Sequence, residues 1–368
     1  MQQRRDSFVI KNLTSGQSVT LNAIRALAAF SVLVGHTFVD VVPKSWFGQI
    51  MPFQSLAVVV FFWLSGFLIA YQCLSKANYS FGEYMIDRFS RIYVLYVPAM
   101  IISYLVFIVL LGRVPPTVWD FVGHVLQLQH TPFSRMIEGI PPIKVYGGNS
   151  VLWTIAIEWW LYVFFGIAFF WQSMSTLERA LALLLAGPAI LVVGYFTVWE
   201  SVAWEWFLGA ACAAIYFYAP QISWKQVVIP LFAVVAGVLW RFQRLSLASH
   251  MNMYDLQLMI LVGVGLMLVL LASTNLRIPS AVRWVAAKGA FVSYAMYLTH
   301  EPIRVLIANY ISVTNVSNVW LSVFLCTLFA AFCAWLLEDK HLNLRAWLKR
   351  KLIAPRRELL KVQASKLT

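Results

Sequence analysis

Arg25 and His36 stand eleven residues apart in an otherwise apolar stretch. Eleven steps of about 100° bring a helix back to within about 20° of its start, so the two side chains share one face, about 16 Å apart along the axis. An ionisable group in hydrocarbon is costly on any scale, which makes each one a candidate for function. A cation near one end and an imidazole in depth suit a substrate with an anionic head and a reactive group at the end of a long arm. Arg88 and Arg91 follow at i,i+3, on one face of the third apolar segment. Such a pair either grips phosphate through paired N–H groups or snorkels at a membrane rim to fix orientation, and spacing leaves both readings open.

Glu158 lies in Trp153-Thr154-Ile-Ala-Ile-Glu158, about seven residues from the outer end of its segment, and His36 lies at a similar depth in its own. A carboxylate beside an imidazole would hold its tautomer and stabilise its charged form. A structural role for Glu158 as the partner of an arginine is equally open. His300, Glu301 and Arg304 form a third group, in which Glu301 and Arg304 can pair at i,i+3. A satisfied core histidine is the favoured reading of His300. Ser65-Gly66 reads as a close helix crossing in preference to a nucleophile, since small residues let helices approach in lipid and no Gly-x-Ser-x-Gly elbow occurs. Cys73, Cys212, Cys326 and Cys333 show no metal spacing and read as small apolar fillers, and no metal is expected.

These residues need elements to hold them, and composition says which. Of 368 residues 61% are hydrophobic and 12% charged, with a mean hydropathy of +0.75. A soluble domain, a disordered chain and a disulfide scaffold are thereby excluded. About 20 helical residues cross the hydrocarbon core, and ten stretches reach or approach that length: 21–43, 54–74, 89–112, 151–172, 178–198, 201–218, 225–242, 255–274, 290–311 and 317–337. The fold class read from this is an all-α polytopic bundle, one membrane domain over 1–345 with a basic tail, 346–368. The polar start lacks a convincing cleavage site, so the first run is expected to be a retained span.

The net charge of +13 would suit nucleic acid in a soluble protein, but nine of the 28 Lys and Arg residues follow Glu338, among them Lys349, Arg350, Lys351, Arg356 and Arg357. Facing lipid headgroups or enforcing orientation is the reading preferred to nucleic acid. With both termini cytoplasmic, 20 cations fall inside and six outside, as the positive-inside rule requires. The segment 113–150 is then external, and a connection of that length is expected to be a lid or binding element.

In order along the chain, five segments resemble the acyltransferase-3 family of integral membrane acyltransferases. Leu21-Asn-Ala-Ile-Arg25 through Gly35-His36 is similar to its Arg-x10-His helix, and Val60-Phe-Phe-Trp-Leu-Ser65-Gly66 to its second helix. Arg88-Phe-Ser-Arg91 is similar to its Arg-x-x-Arg motif. Trp153-Thr154-Ile-Ala-Ile-Glu158 resembles its Trp-Ser-Leu-x-x-Glu, and Ser293-Tyr-Ala-Met-Tyr-Leu-Thr-His300-Glu301-Pro302 its Ser-Tyr-x-x-Tyr-Leu-x-His-x-Pro. The chain departs from the family pattern in Thr154 for serine and in lacking a proline after Glu338.

The resemblance implies transfer of an acyl group, most often acetyl, from cytoplasmic acyl-coenzyme A to a hydroxyl of a carbohydrate in a bacterial inner membrane. The acceptor would be a cell-envelope or secreted glycan, such as lipopolysaccharide or a lipid-linked intermediate. It implies that Arg25, Arg88 and Arg91 bind the coenzyme A phosphates, that His36 is the general base with Glu158 as its orienting partner, and that Ser65, Trp153, Thr154, His300 and Glu301 support the site or the acceptor. A proton-coupled carrier or flippase of a glycan is the rival reading, since ionisable groups within spans describe that class too. A non-catalytic partner in an envelope assembly is another.

Overall fold

The computed structural model describes residues 12–39, 53–129, 131–132, 139, 141–198, 201–219, 223–247, 255–311 and 316–353. The protein is an all-α polytopic membrane bundle, with no strand among the described residues. Among the described residues its α-helices are α1 (Ser15–Val39), α2 (Phe53–Ser75), α3 (Phe81–Tyr104), α4 (Val118–Val125), α5 (Trp153–Phe170), α6 (Thr176–Val198), α7 (Val202–Tyr218), α8 (Trp224–Leu247), α9 (Leu256–Ala272), α10 (Ser280–Tyr310), α11 (Val316–Leu337) and α12 (Lys340–Leu352). Eight helices among the described residues are long and apolar enough to cross a membrane. Two further expected spans are helical as well. One is α7, with only 17 residues, and the other lies within α10, whose 31 residues carry Arg283, Lys288, Glu301 and Arg304.

Helices begin and end where polar chemistry says, not where hydropathy fades. The third begins eight residues before the apolar stretch, because Ser80 and Glu83 form a capping box in which the Ser80 hydroxyl accepts from the Glu83 N–H. It runs on through a π-helical stretch, Leu105–Leu110. The tenth starts behind Pro279, ten residues ahead of the expected span, and α12 emerges from the basic tail. Of that tail, Arg356 and Arg357 lie outside the described residues.

The chain divides into two compact units, residues 1–77 with 195–330 and residues 78–194 with 331–368. In the first, α2 packs on α7 and α1 on both α2 and α10. The α2–α7 crossing rests on glycine. A Cβ at Gly66 would stand 1.9 Å from the Trp206 carbonyl oxygen, and one at Gly209 2.2 Å from that of Trp63. Trp206 Nε1 donates to Ser65 Oγ at 3.1 Å across the same crossing. Ser65-Gly66 is therefore a packing element, as the small-residue reading expected. Close approach recurs between α1 and α10, where a Cβ on Gly289 would come within 2.7 Å of Ala26 Cβ.

In the second unit α3 packs on α5 and carries α12. Tyr84 donates its hydroxyl to the Tyr162 carbonyl at 3.0 Å. The C-terminal helix is fastened by charge: Lys349 Nζ lies 2.7 Å from the buried Asp87 carboxylate, which also accepts from Tyr79 at 2.8 Å.

The described parts of 113–150 are sewn down. Tyr93 and Tyr96 donate hydroxyls to the carbonyls of Val125 and His124 at 2.6 and 3.3 Å, and Trp160 Nε1 donates to Gln127 O at 2.8 Å. Asp120 caps α4 through Thr117 and accepts the Lys144 N–H at 2.7 Å. Burial alone would raise the Asp120 carboxyl, but the Thr117 hydroxyl, the Lys144 and Thr117 N–H groups and the Lys144 charge hold it below the usual carboxylate range. His124 Nδ1 donates to Asp120 O at 2.9 Å, since a carbonyl can only accept, and its Nε2 accepts the Tyr146 N–H at 3.3 Å. Only the neutral Nδ1–H tautomer satisfies both, and burial lowers its pKa from 6.5 to about 4.

Candidate active site

The first unit gathers four polar side chains on α1 and α10. On α1, Ala29, Leu33 and His36 recur at i, i+4 and i+7, and on α10, Met296, His300, Ile303 and Ile307 follow the same rule. Ala29, Leu33 and Met296 pack in one apolar cluster with Val323, Cys326 and Ala330, with Ile303 and Ile307 against it. Burying those two stripes against each other carries the next residues of each face together. His36 and His300 consequently meet with ring centroids 5.2 Å apart and planes at 60°.

His300 is fully buried. Its Nδ1 lies 3.0 and 2.9 Å from the carbonyl oxygens of Met296 and Tyr297, to which it can only donate. In the neutral ring Nε2 therefore carries the lone pair, and this buried atom has no hydrogen-bond partner among the described residues. The core-histidine reading thus holds for one side of the ring and fails for the other.

Glu301 is held by a fork: Arg304 Nε and Nη2 donate to its two oxygens at 3.1 and 3.0 Å. The expected i,i+3 pair is formed. The carboxylate also lies 3.9 Å from His36 Nδ1, whose side chain is 30% exposed, against 10% for that of Glu301. An imidazole open on one side, with a fixed carboxylate on the other, can take up a proton and have the charge compensated as it forms.

One ligand atom from each of His36, His300 and Glu301 lies within 4.8 Å of the others, which also describes a possible metal trio. Closing on a zinc ion would need these atoms about 3.4 Å apart, from bond lengths of about 2.1 Å. Arg304 meanwhile occupies both carboxylate oxygens and adds a fixed positive charge. The donor set suits hydroxyls and protons better than a dication.

The second unit holds Arg88, Arg91, Trp153, Thr154 and Glu158. Arg88 lies against the rings of Tyr84 and Tyr162, its guanidinium carbon 5.8 and 5.9 Å from their centroids. Tyr162 in turn donates its hydroxyl to Glu158. Glu158 is thus linked toward Arg88 through one tyrosine. Arg91 forms an ion pair with the buried Glu338. Thr154 is buried at the start of α5, its hydroxyl donating to Val151 O at 3.2 Å, and Trp153 opens that helix. Arg25 is half-buried on α1 in the first unit.

A sequence model of the family described as an acyltransferase domain, acyltransferase-3, matches residues 19–339. The chain belongs to this family. Among curated proteins, an O-acetyl transferase of Shigella phage Sf6 is 22% identical over 347 residues, covering 90% of this chain and 97% of its own. The protein named Protein 2 in picA locus, of Rhizobium radiobacter, is 26% identical over 184 residues, 48% of this chain and 93% of its own length. No solved structure matches.

The acyltransferase-3 motifs map onto helix faces and starts. Arg25 and His36 lie on α1, Arg88 and Arg91 near the start of α3, Trp153 to Glu158 at the start of α5, and Ser293 to Pro302 within α10. Sequence reading missed Tyr162, four residues after Glu158 and so on its face, and Lys349 with Asp87. The first was visible as an i,i+4 aromatic. The second needed the tail to be seen as a helix.

Proposed function

We propose that this acyltransferase takes an acetyl group from cytoplasmic acetyl-coenzyme A and esterifies a hydroxyl of a cell-envelope carbohydrate, free or lipid-linked, at a bacterial inner membrane with both termini on the cytoplasmic side. The observation that carries the reading is His36 beside the Glu301–Arg304 fork, within a chain matched by the acyltransferase family over most of its length. The name of the Sf6 relative supports acetyl as the group and an oxygen as the acceptor.

In this reading His36 removes the acceptor hydroxyl's proton as the oxygen attacks the thioester carbonyl carbon. The C–O bond forms, the C–S bond breaks, and the proton passes to the sulfur, releasing coenzyme A as the thiol. We assign the orienting role, which the sequence suggested for Glu158, to Glu301. Arg304 keeps that carboxylate facing the ring. Arg25, Arg88 and Arg91 serve the anionic head of the donor, where bidentate guanidinium contacts suit phosphate. Glu158, Tyr162, Trp153 and Thr154 support Arg88 and the start of α5.

The test is thiol release from acetyl-coenzyme A by purified protein in nanodiscs, wild type beside His36→Ala. Release that depends on His36, with donor binding kept in the variant, is the expected result. Undiminished release by His36→Ala would remove the base from the scheme. Absence of donor binding by folded wild-type protein would remove the acyltransferase reading altogether and favour a carrier.

A further inference from the structure

The His300 Nε2 atom is one of several buried polar atoms in the first unit that lack a hydrogen-bond partner among the described residues, with both Glu205 carboxylate oxygens, and it is the one beside His36. It is fully buried, has no hydrogen-bond partner among the described residues, and is committed to accept by the two carbonyls that take its Nδ1–H. A buried acceptor left unmatched is costly, so such an atom marks where a ligand donor belongs. None is supplied among the described residues: Cys326 Sγ donates to the His300 carbonyl oxygen, 3.9 Å away.

The reacting hydroxyl cannot satisfy both histidines. One O–H has one proton, and in the reaction above that proton goes to His36. A second donor must therefore reach His300 while the first engages His36. One nitrogen of each ring lies within 4.8 Å of the other. Hydroxyl oxygens on adjacent carbons of a sugar ring stand about one hydrogen-bond length apart, and each needs a nitrogen at about 2.8 Å. Two imidazoles with ring centroids 5.2 Å apart can each meet one oxygen of such a pair, whereas an isolated hydroxyl leaves His300 Nε2 empty.

We infer that the acceptor is recognised as a vicinal diol: one hydroxyl on His36 is acylated, and its neighbour donates to His300 Nε2 and is left free. The inference rests on the acyltransferase reading above and names the acceptor class that reading leaves open. His300 is then the residue that selects the acceptor, and the product is a monoester with a free hydroxyl on the adjacent carbon. The neighbouring hydroxyl keeps its proton and changes no bond. The Glu301–Arg304 fork, on the next turn of the same helix, holds the two histidines' surroundings fixed while either sugar oxygen arrives.

The experiment uses the full chain in nanodiscs with acetyl-coenzyme A. Acceptors are octyl pyranosides of the gluco, manno, galacto and rhamno configurations, each beside its 2-, 3- and 4-deoxy congeners, with ester formation read by mass spectrometry and thiol release alongside. Wild type is expected to acylate at least one parent glycoside and to lose at least tenfold in rate when the hydroxyl next to the acylated one is removed, since the site's buried acceptor is then unmatched. In His300→Asn, whose amide can still donate to the carbonyls, that ratio is expected to fall to about one. A merely structural histidine would lower both rates and leave the ratio intact, which would overturn the inference. So would wild type acylating deoxy and parent acceptors equally, a reading that stands even if no His300 variant folds. Thiol release without transfer to any of the diols would overturn it too, as would a His300→Asn effect confined to the KM for the donor. Absence of thiol release in wild type is a different failure, of the acyltransferase reading itself.

Discussion

Acidification should open the segment 113–150 at one bond, and the size of the effect follows from His124. Its ring bridges Asp120 O and the Tyr146 N–H and is 1% exposed. A second ring proton would place an N–H against an N–H. Burial sets its folded pKa at about 4, against 6.5 for the free side chain. A depressed histidine pKa gives stability that is complete above the unfolded value and is lost as pH falls through the folded one, so the window runs from 6.5 down to about 4. The interval corresponds to about 3 kcal/mol in full and about 2 kcal/mol by pH 5. The assay is hydrogen exchange of the peptide containing Tyr146, corrected for the intrinsic rate at each pH. Protection should fall about a hundredfold between pH 7 and pH 4, following 1.4 kcal/mol per factor of ten. His124→Gln, which does not titrate, should start less protected and stay level. Equal protection of wild type at both pH values would refute the assignment of the neutral tautomer.

Three further outcomes follow from the geometry. Gly66→Val should abolish assembly of the α2–α7 crossing, because even a Cβ there meets the Trp206 carbonyl at 1.9 Å; yield of monodisperse protein in detergent checks this, and a normally stable variant would remove the crossing. Glu301→Gln should cost about 3 kcal/mol of stability by removing the negative charge from the fork with Arg304, while the double change with Arg304→Met should recover most of it; equal melting temperatures of the single variant and wild type would contradict the fork. Dialysis against a strong chelator should leave thiol release unchanged, and one tightly held zinc per chain by elemental analysis would show instead that His36, His300 and Glu301 close on a metal.

Much of the fold was legible because lipid imposes a simple rule: a backbone in hydrocarbon must bond to itself, so twenty apolar residues become a helix. Hydropathy is blind to what polar caps do outside that layer. It started α3 at Arg88's neighbour instead of at the Ser80–Glu83 box, though Ser-x-x-Glu was there to read. It also treated 346–352, the second half of α12, as tail, because nothing local reveals that Lys349 has Asp87 waiting. For the site, the period of 3.6 gave the shared face of Arg25 and His36 and the pairing of Glu301 with Arg304. Depth along a span, however, says nothing about which helices touch. Two carboxylates, Glu158 and Glu301, were available as companions for His36, and only the packing of Ala29 and Leu33 near Met296 shows Glu301 at 3.9 Å.

The interleaving of the two units bears on how the protein is made. Residues 78–194 separate the two pieces of the first unit, and 195–330 separate those of the second. Ribosomes add about 5–20 residues per second, so α1 and α2 wait roughly 6 to 23 s for the 117 residues 78–194 to pass before α7 begins to emerge. During that interval Gly66 and the face around it have no partner helix, and Asp87 waits longer still, until the ribosome reaches Lys349. Neither unit can mature as an independent early product. Half-built chains hold helices whose packing partners are not yet made, so biogenesis of this protein should depend on insertase and chaperone capacity more steeply than that of a bundle whose neighbours in space are neighbours in sequence.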